Sequence, residues 1–133
     1  MGSKNKLKKF NENLNFQNLF QPSRDDVLKS NFKFKGKWND YFENSYPITL
    51  ELGCGKGEYS FELAKKYQNR NFIGIDIKGA RIWTGAKKST NLKMKNICFI
   101  RTNIDLIGNL FSDSEIDEIW ITFPDPQIKI QRR

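Results

Sequence analysis

A strand that runs directly into a glycine cluster is the feature that most constrains the fold of this chain. The strand pattern Ile48–Leu52 is followed by Gly53, Gly55 and Gly57, and residues 59–67 then show one apolar helical face. Glycines at such a turn accept positive φ angles and let the backbone approach a ligand, because they have no Cβ atom. Free N–H groups at the start of the helix would face the same ligand. The pattern predicts a ligand-binding strand–loop–helix unit, but proteins that bind NAD, FAD or a methyl donor all share it, and a turn with packing glycines is the alternative.

Apolar segments with strand and helix character alternate along the rest of the chain. Beyond the glycine cluster we predict strands at residues 72–77, 97–100 and 119–123 and helices at residues 80–94 and 106–111. This alternation indicates an α/β fold with a parallel sheet. Because four strands make only part of such a sheet, which is normally covered on both faces, we expect the domain to be truncated after the fourth strand.

Residues 1–45 differ in character from residues 46–133. The first part combines many lysines with asparagines and scattered aromatic residues, and no clean helical or strand period runs through it. We interpret it as a basic, partly ordered amino-terminal arm whose aromatic side chains could anchor it on a neighbouring surface. For residues 1–9 a disordered, solvated tail is the alternative. Residues 46–133 are predicted to form a partial α/β domain.

The formal net charge of +8, without any histidine, favours a polyanionic partner such as nucleic acid or an anionic membrane surface, with ordinary solubility as the alternative. Cys54 and Cys98 have no CxxC neighbour, and without histidine we expect no zinc site. No apolar run approaches the ~20 residues of a membrane span, and the amino terminus lacks a signal-peptide pattern. We therefore expect a soluble, cytoplasmic protein that binds no metal.

Three polar residues lie where predicted strands end, which is where parallel sheets bind ligands. Glu51 precedes the first glycine, and its carboxylate would attract the sulfonium and amino groups of a methyl donor but repel the pyrophosphate of a dinucleotide. Asp76 could accept hydrogen bonds from both ribose hydroxyls, with a capping or turn aspartate as the alternative. Asn103 could donate to and accept from an adenine edge, although asparagines are also common in turns.

Three short sequences carry a resemblance to a known family. Glu-Leu-Gly-Cys-Gly-Lys-Gly at residues 51–57, Gly-Ile-Asp at residues 74–76 and Phe-Pro-Asp-Pro at residues 123–126 resemble the tRNA (guanine-N7-)-methyltransferases of the TrmB type. The resemblance covers roughly residues 47–130, the front half of that family's catalytic domain. Many class I methyltransferases share the glycine loop, whereas Phe-Pro-Asp-Pro directly after the fourth strand is much more specific. The resemblance implies a Rossmann-like class I fold and S-adenosylmethionine-dependent methylation of N7 of guanine-46 in the tRNA variable loop.

The resemblance also implies roles for individual residues. It implies S-adenosylmethionine contacts at Glu51, at the three glycines of the loop, at Asp76 and at Asn103. It implies that Asp125 contacts the cofactor and lies at the reaction centre, and that Lys129 contacts the tRNA substrate. The family commonly has an acid in place of Asn103, and a tryptophan where this chain has glutamine after the second proline of Phe-Pro-Asp-Pro.

The chemistry of guanine N7 is compatible with a chain that has no histidine. N7 carries a lone pair and no proton, so its attack on a methyl group requires no general base. The enzyme must instead align N7, the methyl carbon and sulfur, and orientation of this kind can contribute ~7–11 kcal/mol. A carboxylate held between two prolines at Asp125 could orient the base and stabilise the charge that develops on it, with a loop cap as the alternative.

Three other functions stay open at this point. The chain could be a class I methyltransferase with a different substrate, because the cofactor motifs are less specific than Phe-Pro-Asp-Pro. It could be a nicotinamide-dependent oxidoreductase, which would bind NADH in place of S-adenosylhomocysteine. It could also be a non-catalytic RNA-binding fragment.

Overall fold

In the computed structural model of the chain, residues 3–121 are described. The Phe-Pro-Asp-Pro motif lies outside these residues, and so do the predictions made for Asp125 and Lys129. The fold and the candidate cofactor site can be examined directly.

A five-stranded sheet forms the centre of the described chain, with strands β1 (Leu19–Phe20), β2 (Ile48–Leu52), β3 (Asn71–Asp76), β4 (Ile97–Arg101) and β5 (Glu118–Ile121). The spatial order is β1-β4-β3-β2-β5, and every neighbouring pair is parallel. The predicted α/β fold with a parallel sheet is confirmed. The four predicted strands correspond to β2, β3, β4 and β5, and their ends differ from the prediction by at most one residue within the described range.

The prediction of four strands was wrong by one, because β1 was missed. Leu19 of β1 lies opposite Phe99 of β4, and Phe20 lies opposite Ile100. A strand of two residues is too short to show a period of alternating side chains, so no local sequence signal could identify it. β1 lies in the amino-terminal arm, which thus contributes one edge of the sheet.

Within residues 3–121, six α-helices and one short 3-10 helix accompany the sheet. They are α1 (Ser3–Asn13), α2 (Arg24–Ser30), α3 (Trp38–Phe42), α4 (Glu58–Lys66), α5 (Gly79–Asn91), the 3-10 helix Ile104–Leu106 and α6 (Ile107–Leu110). The first three lie in the amino-terminal arm, where the sequence showed no clean helical period. In α1, Leu7 and Phe10 are exposed, so the helix shows no apolar stripe of the usual kind. Among the helices of residues 3–121, none is long and apolar enough to cross a membrane.

Each face of the sheet carries its own apolar core, because successive side chains of a strand point to opposite faces. One core joins the arm and α6 to the sheet and contains Val27, Phe32, Trp38, Phe42, Ile48, Leu50, Leu52, Ile73, Ile75, Cys98, Ile100, Leu106, Leu110 and Phe111. The other joins α4 and α5 to the sheet and contains Leu19, Cys54, Phe61, Ala64, Phe72, Ile82, Ala86, Ile97 and Phe99. Burial on both faces explains why β3 and β4 are mostly apolar, whereas the residues of β5 are largely exposed.

Trp38 anchors the arm in the first of these cores. Its side chain is fully buried, and its Nε1 donates a hydrogen bond to the carbonyl oxygen of Leu110 at 3.0 Å. Its ring stacks on Phe32 with 5.7 Å between centroids and contacts the ring of Phe111 at 5.5 Å. The arm therefore covers one face of the sheet. The division of the chain into two parts at residue 45 remains a prediction.

The strand order determines where a ligand would bind. The chain proceeds from β2 to β3 to β4 in one direction and then returns to place β5 on the other side of β2. Open parallel sheets bind ligands beyond the carboxyl ends of the strands, at such a reversal of strand order. The glycine loop follows β2 at this point.

Candidate functional site

The loop between β2 and α4 curls over the carboxyl end of β3. Gly53, Gly55 and Gly57 have φ angles of 74°, 58° and 73°, which side chains with a Cβ atom rarely adopt. The backbone N–H groups of Gly53 and Cys54 both donate to the carbonyl oxygen of Ile75, at 2.8 and 2.9 Å. The positive φ angles expected at this turn are thus present, and they explain the choice of glycine at all three positions.

Asp76 ties the end of β3 to this loop. Its Oδ2 accepts a hydrogen bond from the N–H of Gly55 at 2.8 Å, and its Oδ1 accepts one from the N–H of Lys78 at 2.9 Å. The residue is 9% exposed. Because a carboxylate offers about four acceptor positions, these two contacts leave room for further donors. Asp76 therefore accepts hydrogen bonds that stabilise the turn, which agrees with the alternative of a turn aspartate. Its carboxylate can also accept hydrogen bonds from hydroxyl groups.

A cavity of about 600 Å³ opens beside Asp76 at the ends of β3 and β4. Its lining consists of Gly53, Asp76, Ile77, Thr102, Asn103, Ile104 and Asp105. The volume lies within the range of ~300–1,000 Å³ that is typical of sites for small molecules and cofactors. Three of the residues predicted from the sequence, Gly53, Asp76 and Asn103, thus meet at one cavity.

Two exposed isoleucines line the cavity, and the sequence analysis did not select them. Ile77 follows Asp76 and is 47% exposed, while Ile104 follows Asn103 and is 45% exposed. The only sequence feature that could have indicated a role for these isoleucines is that each directly follows a predicted polar site residue. Apolar side chains left open to solvent beside polar ones are typical of the walls of a ligand site.

Glu51 lies beneath the loop and is not part of the cavity lining. It is 3% exposed, and its Oε1 accepts a hydrogen bond of 2.6 Å from the hydroxyl group of Ser60 in α4. Burial, together with the negative charges of Glu51 and Asp76, raises the pKa of the Cys54 thiol well above its ordinary value. Both predicted acids therefore act electrostatically on the same loop.

Gly55 and Gly57 do not line the cavity either, and Gly57 has a clear packing role. A Cβ atom on Gly57 would lie 2.6 Å from Cε1 of Phe99, and one on Gly85 would lie 2.7 Å from Cζ of the same ring. The ring of Phe99 thus holds the loop, β4 and α5 together. For Gly57, the alternative of a packing glycine is consistent with the structure.

Asp105 lines the cavity and pairs with a residue of the arm. Arg24 in α2 donates to both carboxylate oxygens, with Nη2 3.0 Å from Oδ2 and Nη1 3.3 Å from Oδ1. The hydrogen bonds and charge of the guanidinium lower the pKa of the Asp105 carboxyl. The two residues are separated by 81 positions in the sequence, so no local pattern could reveal the pair.

A metal site is not formed by the side chains of the described chain. Within residues 3–121, no group of three or more histidine, cysteine, aspartate or glutamate residues could hold a metal ion.

Solved methyltransferases have folds similar to this one. A structure described as an antibiotic-related methyltransferase matches with a TM-score of 0.56 and 22% identity, over 71% of this chain and 48% of that chain. The 30S ribosomal A1408 methyltransferase from an uncultured bacterium matches with a TM-score of 0.56 and 22% identity, over 68% of this chain and 44% of that chain. At this identity the likeness concerns the fold alone, which is the Rossmann-like fold of class I S-adenosylmethionine-dependent methyltransferases.

Sequence relatives carry a more specific name. A tRNA (guanine-N(7)-)-methyltransferase of Christiangramia forsetii is 58% identical over 99% of this chain and 59% of its own length. Proteins of the same name from Bacteroides fragilis and Porphyromonas gingivalis are 48% and 55% identical, over 95% and 76% of this chain and 50% and 42% of their lengths. The chain thus spans about half the length of these relatives. The resemblance noted in the sequence is confirmed. Residues 45–133 match the family described as "Putative methyltransferase", and the chain belongs to this family.

Proposed function

We propose that the cavity beside Asp76 binds S-adenosylmethionine, and that the protein transfers its methyl group to N7 of guanine-46 in tRNA. The observation that carries the cofactor proposal is the meeting of Gly53, Asp76 and Asn103 at one cavity beyond β3 and β4. The names of the relatives support the substrate. A tRNA substrate would be reached in the cytoplasm.

The residues around the cavity suit an adenosine. Asp76 can accept hydrogen bonds from the two ribose hydroxyls in addition to the two backbone donors it already has. Ile77 and Ile104 offer exposed apolar surface to the faces of an adenine ring, and Asn103 can both donate to and accept from its edge. These contacts would orient the cofactor. The described residues that line the cavity include no lysine or arginine that could bind a phosphate.

The charge beneath the loop favours a cationic ligand. Burial is the main cause of the raised pKa of the Cys54 thiol, and the negative charges of Glu51 and Asp76 raise it further. A sulfonium and an ammonium group would be attracted by these carboxylates, whereas the pyrophosphate of a dinucleotide would be repelled. This argument favours a methyl donor over NAD.

The transfer itself requires alignment and a suitable electrostatic environment. When bound, S-adenosylmethionine supplies an electrophilic methyl group, which forms a bond to N7 as its bond to sulfur breaks. No proton is moved, and the guanine ring becomes cationic. We propose that Asp125 orients the base and stabilises this charge, and that Lys129 contacts a phosphate of the tRNA; both lie outside the described residues. The net charge of +8 suits a polyanionic substrate.

Calorimetry and a methylation assay test the two halves of the proposal separately. We expect the purified chain to release or absorb heat with S-adenosylhomocysteine and to show no heat with NADH. Incubation with S-adenosylmethionine and purified tRNA should yield 7-methylguanosine on nucleoside analysis. Binding of NADH alone would indicate an oxidoreductase. Binding of tRNA with neither cofactor heat nor turnover would indicate an RNA-binding fragment.

A further inference from the structure

The wall of the cavity formed by residues 103–105 lies between Thr102, whose N–H donates to the carbonyl oxygen of Asp76 at 3.0 Å, and the buried Leu106. It follows β4 and leads through the 3-10 helix into α6, whose four residues end at Leu110. Leu106 and Leu110 are buried in the core, but Asn103, Ile104 and Asp105 at the cavity are exposed. Because the three wall residues are exposed, contacts on the outer side of the wall add to what holds their side chains beside Asp76.

Helix α2 of the arm lies along that outer side. At its beginning, Arg24 makes the two-pronged contact with Asp105. At its end, Asn109 donates through Nδ2 to Oδ1 of Asn31 at 3.1 Å, and the carbonyl oxygen of Asn109 accepts from the N–H of Phe32 at 3.0 Å. Helix α2 thus contacts residues 103–110 at two points, and only the contact of Arg24 with Asp105 lies at the cavity.

The local structure of α2 fixes where Arg24 points. Ser23 caps the helix by accepting a hydrogen bond from the N–H of Asp26 at 3.1 Å, and Arg24 is the first helical residue after it. Val27, one turn later, is 1% exposed and anchors the helix in the core. The backbone that carries Arg24 is therefore held in place, and the planar guanidinium suits a two-pronged contact with the carboxylate of Asp105.

The pair is exposed, with half of each side chain or more open to solvent. Pairs of this kind add little to global stability. A two-pronged contact restricts the orientation of both groups more than a single hydrogen bond does. Its effect would consequently be seen in the placement of the cavity wall and not in the unfolding of the chain.

We propose that Arg24 is a positioning residue for cofactor binding, which acts through Asp105 to hold the wall formed by residues 103–105 against the cavity. This proposal rests on the proposed function, because it takes the cavity to be the S-adenosylmethionine site. It gives the amino-terminal arm a role in cofactor affinity.

The test compares two charge-removing variants of the same helix. Arg24→Ala should weaken S-adenosylhomocysteine binding about three- to tenfold in calorimetry and speed amide hydrogen exchange in residues 104–110, with an unchanged melting temperature. Lys29→Ala removes an exposed cation from the last turn of α2 and should change neither the affinity for S-adenosylhomocysteine nor the hydrogen exchange of residues 104–110. The exchanged pair Arg24→Asp with Asp105→Arg should restore most of the affinity and of the protection from exchange.

Equal affinities and equal exchange rates in Arg24→Ala and Lys29→Ala would overturn the proposal. The proposal would also fail if the exchanged pair bound S-adenosylhomocysteine no more tightly than Arg24→Asp or Asp105→Arg alone. If the unaltered chain binds no S-adenosylhomocysteine, the proposed function fails. The hydrogen-exchange comparison then still decides whether Arg24 holds the wall, because it needs no ligand.

Discussion

The carboxylate of Asp76 accepts a hydrogen bond from the N–H of Gly55 at 2.8 Å, so the end of β3 and the loop after β2 are joined at the cavity. The same side chain lines the cavity through its remaining surface. One residue therefore shapes the glycine loop and presents acceptors to the cavity. A change at Asp76 should affect both functions.

We predict that Asp76→Ala weakens S-adenosylhomocysteine binding strongly. Hydrogen bonds to a charged group contribute ~1.5–3 kcal/mol each, and each ~1.4 kcal/mol corresponds to a tenfold change in affinity. Loss of one ribose contact should raise the Kd about 10- to 150-fold by calorimetry, and loss of both should raise it further. Asp113→Ala removes an exposed acid that does not line the cavity and should leave the Kd within twofold. Similar Kd values for the two variants would contradict a ribose-binding role for Asp76.

The centre of the sheet was predictable because β2, β3 and β4 are almost entirely buried. A run such as residues 97–100, which is apolar on both faces, is recognisable without knowledge of its neighbours. β1 was not predictable, because its two residues become a strand only by pairing with β4. Helix α1 was not predictable either, because its apolar residues do not form a buried face; Leu7, for example, is exposed.

The candidate site was predictable only where it follows the ends of strands. Asp76 and Asn103 end or follow strands, so their meeting at one edge of a parallel sheet could be inferred from the sequence. Glu51 was also selected in this way, yet it lies beneath the loop and outside the cavity lining. Arg24 could not be found, because its contact with Asp105 depends on how the arm packs on the finished sheet.

We predict that Gly85→Ala destabilises the protein while Gly108→Ala does not. A Cβ atom at Gly85 would lie 2.7 Å from Cζ of Phe99 and 2.9 Å from the carbonyl oxygen of Lys56, whereas at Gly108 it would meet no atom within 4 Å. Overpacking of this kind costs ~1–3 kcal/mol. Alanine in place of a helical glycine stabilises by ~0.5–1 kcal/mol. Urea denaturation measures both, and equal midpoints would show that the ring of Phe99 can move aside.

We predict that the amino-terminal arm is required for folding. Removal of residues 1–45 would expose the core face of β2 and the edge of β4, and we expect no cooperative thermal transition by circular dichroism. The single change Trp38→Ala should cost ~3–5 kcal/mol, a large part of the ~5–15 kcal/mol that stabilises a typical domain. Leu7→Ala, at a residue that is 64% exposed, is the control and should melt like the unaltered chain. A cooperative transition in the shortened chain would show that residues 46–133 fold independently.

We predict that stability decreases as the pH rises above about 8.5, the ordinary pKa of a thiol. Burial raises the pKa of Cys98 in the folded chain, so this thiol stays protonated there, whereas the unfolded chain releases its proton. The unfolded state then binds fewer protons, and its free energy falls relative to the folded state by up to ~1.4 kcal/mol per pH unit for each such thiol. Urea denaturation at pH 7.5 and 9.5 should therefore show a larger loss of stability for the unaltered chain than for Cys98→Ala. Equal losses, or rapid alkylation of Cys98 without urea, would contradict burial of the thiol.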